Sequence, residues 1–371
     1  MAKIDVFFKA MRTQGASDMH LAVGAPPWLR VHGVLRKVDY PPLTDEVLRP
    51  MLYEMLSEQQ ISRFEKTHDL DFGYSAPGIA RFRCNFFCKS TGIAAAFRQI
   101  PFGITTLEEL GAPPILKSLC DYHAGLVLVT GPTGSGKSTT LAALIHHINH
   151  SYNSHILTLE DPLEFIHEPI RCMVSQREIG VHSESFATAL RAGLREDPNV
   201  VLVGEMRDLE TMQLAITAAE TGHLVFATLH TSSAAKTVDR VIDAFPVDQQ
   251  AQVRTMLSES LRAVIAQRLL VRCGGHGRIA AFEILVATPA VRSLIREQKT
   301  FQITSAISTG RKDGMQTLDQ HLLELVQQNL VDPIEAAKHS EQPASLLAKT
   351  TGTAVTSPAK TGVPALVPVD P

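Results

Sequence analysis

The run Gly131-Pro132-Thr133-Gly134-Ser135-Gly136-Lys137-Ser138 places three glycines, a lysine and a hydroxyl at the spacing that cradles a triphosphate. Glycines let successive backbone N–H groups turn inward, and the amino end of a following helix, read here as Thr139 to Ile148, adds further donors. A lysine at this position neutralises the β and γ phosphates, and the hydroxyl after it binds Mg²⁺. The pattern therefore predicts a nucleoside triphosphate with Mg²⁺, held by Gly131, Pro132, Thr133, Gly134, Ser135, Gly136, Lys137, Ser138 and Thr139. A plain glycine-rich turn is the competing reading, but such a turn has no need of Lys137 or Ser138.

Phosphate chemistry also needs carboxylates. The apolar run Val200-Val201-Leu202-Val203 ends in Gly204-Glu205, which resembles the acidic strand of P-loop proteins except that Gly204 intervenes. Glu205 would then face the metal, together with Ser138; an exposed acid at a strand end fits the same spacing. Ile156-Leu157-Thr158-Leu159 ends in Glu160-Asp161-Pro162, and acids at the carboxyl ends of strands face the ligand crevice in parallel sheets. A carboxylate is a weak base for water, so Glu160 would chiefly orient the attacking water while positioning and charge neutralisation do the rest. A solvated turn is its alternative. His223 and His230 flank Leu224 to Leu229; His230 could donate to a γ-phosphate, or be bonded only to backbone, and spacing favours the second.

Short, wholly apolar strands (126–129, 156–159, 200–203, 224–227) alternate with helical segments, which predicts an α/β core with a parallel sheet covered on both faces. Beyond Phe245 a helical period is read over 253–270, 290–297 and 318–330, with one strand near 279–285. Upstream the pattern is strand-rich, at 19–23, 28–31, 34–38 around a His32-Gly33 turn, 70–74, 80–88 and 93–97, with one helix around Leu48 to Leu56. Alternation over 81–88 puts Phe82, Cys84, Phe86 and Cys88 on one buried face and Arg81 and Arg83 on the other. An amphipathic helix opens the chain with Ile4, Phe7, Phe8 and Met11. The divisions expected are 1–100, a Pro- and Gly-rich linker at 101–120, a nucleotide-binding domain at 121–340, and a tail at 341–371 with no period, read as disordered.

Bulk composition narrows the class. With 371 residues, 44% of them apolar, two ordered domains are expected, and no apolar run is long enough to span a bilayer. Five cysteines without paired spacing indicate neither a disulfide framework nor a zinc site, which fits a reducing cytoplasm. A net charge of −3 lacks the basic surplus of a protein held to nucleic acid, so no nucleic-acid partner is expected.

As a set, the P-loop, the Glu160-Asp161 box, the Gly204-Glu205 strand and the two-histidine box resemble the secretion ATPases that power type II and type IV secretion and type IV pili. Within that superfamily, Ser17-Asp18-Met19-His20-Leu21, Arg195 to Glu205, Ala290-Val291-Arg292-Ser293-Leu294-Ile295-Arg296 and Gly314 to Gln320 look like the twitching-motility, PilT-type retraction ATPases, over about residues 1–340. Ser293 stands where the family commonly has Asn. The resemblance implies a RecA-like P-loop core preceded by a smaller PAS-like α+β domain. It also implies a homohexamer hydrolysing ATP with Mg²⁺ to retract pili, cytoplasmic and peripheral at the inner membrane. Its partners would be an inner-membrane pilus platform protein, the pilus base and a paralogous retraction ATPase. Glu160 becomes the catalytic glutamate, Glu205 the metal-side acid and His230 a functional histidine. Arg81, Arg83 and Arg98 match basic positions that approach nucleotide across the subunit interface. The alternative is an accessory ATP-binding ring subunit coupled to another motor.

Overall fold

The computed structural model describes residues 3–31, 33–100, 103–275 and 277–350. These divide into two compact units, one up to Gly103 together with Pro162–Phe165, the other from Ile104 onward. The His32 half of the expected turn, Pro101 and Phe102 of the linker, and 351–371 of the tail lie outside the described residues.

The first unit is an antiparallel sheet with helices on it. Strands β1 (Ala16–Ala22), β2 (Trp28–Val31), β3 (Val34–Lys37), β4 (Asp69–Ala76), β5 (Ala80–Lys89) and β6 (Gly92–Ile100) run in the order β3-β2-β1-β6-β5-β4. The opening helix, Asp5–Thr13, buries Ile4, Phe7, Phe8 and Met11 as its period requires. Phe8 stacks on Phe82 of β5 with ring centroids 3.8 Å apart. Alternation along β5 buries Phe82, Cys84 and Phe86, but Cys88 is exposed, correcting its expected place in the core. Cys88 is the penultimate residue of the strand, next to the turn into β6. Two helices interrupt the strands, not one: Asp45–Tyr53 and Glu58–Thr67. The second buries only Phe64, so it has almost no apolar stripe to read, and a Ser57–Gln60 capping box starts it.

The second unit carries strands β7 (Gly125–Thr130), β8 (His155–Glu160), β9 (Met173–Glu178), β10 (Val200–Val203), β11 (Leu224–Leu229), β12 (Leu261–Val271) and β13 (Arg278–Val286), in the order β13-β12-β7-β11-β10-β8-β9. All neighbours are parallel except the β12–β13 pair. Both faces are covered: in β7, Leu126 and Leu128 enter one core, Val127 and Val129 the other. The expected α/β class with a mostly parallel sheet is observed. Within it, the helical reading of 253–270 is corrected to a helix, Gln250–Ser260, followed at once by β12. A strand buried on both faces is set apart from a helix by flanking Gly or Pro rather than by period, and none stands at the junction of Ser260 and Leu261.

Two further readings change. The linker expected at 101–120 is built into the second unit from Ile104 on, with Leu107, Leu116 and Leu119 buried in its core. The tail expected from Glu341 begins with a helix, Pro343–Thr350, which buries Leu346 beside Leu322 and Leu325 of the helix Leu318–Gln327. Asp319 accepts from the N–H groups of Glu341 and Gln342, fixing the approach to that helix.

Candidate active site

The P-loop joins β7 to the helix Lys137–Ser151. Gly131, Gly134 and Gly136 have φ of +147°, +79° and +90°, conformations other residues rarely adopt. Space is limiting as well: a Cβ on Gly131 would lie 2.5 Å from the Gln267 carbonyl, and one on Gly136 would lie 2.8 Å from Gln267 Nε2. Gln267, on β12 and 2% exposed, is therefore the floor of the loop, and its Oε1 accepts from the Thr140 hydroxyl at 2.8 Å. Sequence reading missed Gln267 because its segment was read as helix. Lys137 Nζ donates to the carbonyls of Gly131 and Pro132, at 2.9 and 3.2 Å, which lays its ammonium across the loop. Pro132, Thr133 and Ser138 are exposed, Thr139 is half-buried, and Ser135 is buried under the turn.

The other expected residues stand on the same sheet edge. β11, β10 and β8 follow β7 in space, so His230, Glu205 and Glu160 line up at successive carboxyl ends. At a neighbour spacing of about 4.8 Å, the end of β10 is roughly 10 Å from the end of β7, a span suited to the phosphate tail and its cation. Gly204 allows this crowding, since a Cβ there would sit 3.0 Å from the Leu159 carbonyl and 3.3 Å from Glu160 Cα. Glu160 Oε1 accepts from the Thr158 hydroxyl at 2.8 Å and from Gln176 at 3.4 Å, which aims the carboxylate.

Glu205 is gripped on both oxygens. Arg207 reaches Oε2 at 2.8 Å and His230 Nε2 reaches Oε1 at 3.0 Å. Burial alone would raise the Glu205 pKa, but Arg207 and then His230 outweigh it and hold the carboxyl below its usual range. His230 is thus tied to a side chain rather than only to backbone. His223 is the backbone-bonded one, with Nδ1 3.0 Å from the Ala218 carbonyl. Arg207 was not singled out from sequence; its position two residues beyond Glu205 was the available signal. Among the described residues, no group of three or more His, Cys, Asp or Glu could hold a metal by itself. Mg²⁺ retains water and phosphate oxygens and takes one or two protein oxygens, so the Ser138 hydroxyl and an ionised Glu205 fit it.

Arg81, Arg83 and Arg98 lie in the first unit. Arg83 and Arg98 are directly opposite across β5 and β6. Like charges so placed repel, and Asp18 offsets this by pairing with Arg98 at 2.8 Å. Arg81 donates to the Ser75 hydroxyl and to the Leu163 carbonyl.

A P-loop and two strand-end carboxylates on one edge of a mainly parallel, doubly covered sheet define a P-loop nucleotide-binding core of the RecA-like kind. The chain belongs to the type II/IV secretion system protein family, whose model matches residues 7–351. It is 53% identical over 330 residues to the type IV pilus retraction ATPase PilT of Pseudomonas aeruginosa, covering 89% of this chain and 96% of the relative. It is 51% identical over 320 residues to a twitching motility protein of Neisseria gonorrhoeae, covering 86% of each. A crystal structure of the pilus retraction motor PilT with bound ADP superposes with a TM-score of 0.86 at 44% identity, over 94% of this chain and 99% of that one. No helix among the described residues is long and apolar enough to cross a membrane.

Proposed function

We infer that this chain is an ATPase that drives type IV pilus retraction and twitching motility. The observation that carries the reading is the single sheet edge on which the P-loop, His230, Glu205 and Glu160 stand at the ends of four adjacent strands. Such an edge serves hydrolysis, since binding alone requires only the cradle. Lys137 neutralises the β and γ phosphates, and Glu160, aimed by Thr158 and Gln176, orients water in line with the γ-phosphorus. Ser138 and Glu205 would hold Mg²⁺, which would supply charge neutralisation on the phosphates. His230, seated on Glu205, is placed to register the γ-phosphate.

The working unit in this reading is a homohexamer, peripheral at the cytoplasmic face of the inner membrane, acting on a pilus platform protein and the pilus base. Arg81, Arg83 and Arg98 of one subunit then approach the nucleotide of its neighbour, and an arginine supplied in trans contributes about 10³ to 10⁵ in rate.

The test is phosphate release by the purified full-length protein, with K137A and E160Q beside it. K137A should lose nucleotide binding and E160Q should bind without turnover; wild-type turnover in E160Q would overturn the assignment of the water-orienting acid. In cells, replacing Lys137 should leave filaments extended and abolish twitching, and normal twitching would sink the motor reading.

A further inference from the structure

Glu283 is a carboxylate in the wrong company. It sits on β13 among Phe282, Ile284 and Leu285, is only 6% exposed, and burial raises its pKa. Such burial is costly unless the oxygens are used, and one is: Oε1 accepts from the Ala234 N–H at 2.6 Å. Ala234 is the first residue of the helix Ala234–Asp243, so its N–H is one of the four that a helix cannot satisfy internally. Ser233 takes the N–H of Lys236 in the same turn. The start of this helix is thus bolted to the edge strand of the sheet.

What precedes that start is the segment carrying His230. Every residue between His230 and the helix is tethered. Arg268 of β12 donates to the Ser232 carbonyl at 3.2 Å, and the Thr237 hydroxyl donates to the Ser233 carbonyl at 2.7 Å. Having spent its proton there, the Thr237 oxygen accepts from the Thr231 hydroxyl at 2.6 Å. Thr130, the residue before the P-loop glycine, stands 3.5 Å from that same oxygen. The segment therefore leaves β11, passes the end of β7 and is anchored at β13, two strands beyond the P-loop strand.

We propose that Glu283 is a positioning residue for hydrolysis: by holding Ala234 it fixes the segment bearing His230, and with it the His230–Glu205 contact. Glu283 has no contact with nucleotide in this role. The proposal rests on the ATPase reading above.

The experiment uses the full-length assembled protein and measures kcat and KM for ATP, with the affinity for an N-methylanthraniloyl ADP read by fluorescence. E283A should lower kcat about 10- to 100-fold, the scale of a small misplacement remote from the reaction, with ADP affinity unchanged. A234P removes the donor instead; proline is tolerated at a first helical position, so this variant should lose as much rate, and E283A/A234P should lose no more than either alone. E283Q keeps an acceptor and should retain most of the rate. A slow H230A chain should lose nothing more when Glu283 is also replaced. Unchanged kcat in E283A, a loss that appears in ADP affinity, E283Q falling as far as E283A, or a full further loss on H230A would each overturn the proposal. So would failure of both single variants to fold while H230A folds, because Glu283 would then serve stability. A wild-type protein without turnover would sink the ATPase reading instead.

Discussion

At the scale of single residues, the site depends on two close approaches. Gly204 sits where any Cβ would press on the Leu159 carbonyl and Glu160 Cα, both backbone atoms that cannot swing away. G204A should cost about 1–3 kcal/mol in stability, as overpacking does, and should lower phosphate release more than ADP binding; thermal melting and single-turnover assays read the two effects separately. The second is the grip of Arg207 and His230 on Glu205. A carboxyl held below its unfolded-state pKa contributes stability above that pKa and loses it as pH falls through the folded value. R207A removes the largest contact that lowers the Glu205 pKa and leaves the burial that raises it. The acid limb of the pH–rate profile should therefore move to higher pH in R207A, and an unmoved limb would separate Arg207 from Glu205 ionisation.

At the scale of elements, the helices and strands easiest to read were those with one wet face. The opening helix and β5 follow their periodicity closely. β12 was hidden because it follows the helix Gln250–Ser260 with no Gly or Pro to mark the boundary, and Gln267, the floor of the P-loop, was hidden with it. The helix Pro343–Thr350 was hidden for a different reason: eight residues offering essentially one apolar contact carry little pattern. That contact should still be measurable. L346A should cost about 2–4 kcal/mol if the helix melts with the rest of its unit, checked by denaturant unfolding; an unchanged midpoint would mean the helix opens independently. S57A, which removes a capping-box acceptor, should cost about 1 kcal/mol, read as a lower melting temperature.

At the scale of the whole molecule, the proposed hexamer makes a prediction no single chain can satisfy. If arginines act in trans, R83A chains and K137A chains should each be inactive alone, yet turnover should return on mixing and reassembly, because one supplies an intact P-loop and the other an intact arginine. Phosphate release from the mixture decides it, and a mixture as inactive as its components would remove the trans role of Arg83. Turnover per chain should also rise with protein concentration until assembly is complete.

Sequence by itself determined the nucleotide cradle, the acids at Glu160 and Glu205, the α/β class and the kinship with secretion ATPases, because these depend on residue types at short fixed spacings. Tertiary structure alone decided which distant residues serve them. Gln267 beneath the glycines, His230 on Glu205, and Glu283 on Ala234 join elements far apart in the chain. Their partners are set by strand order and register, and local sequence spacing carries no record of either.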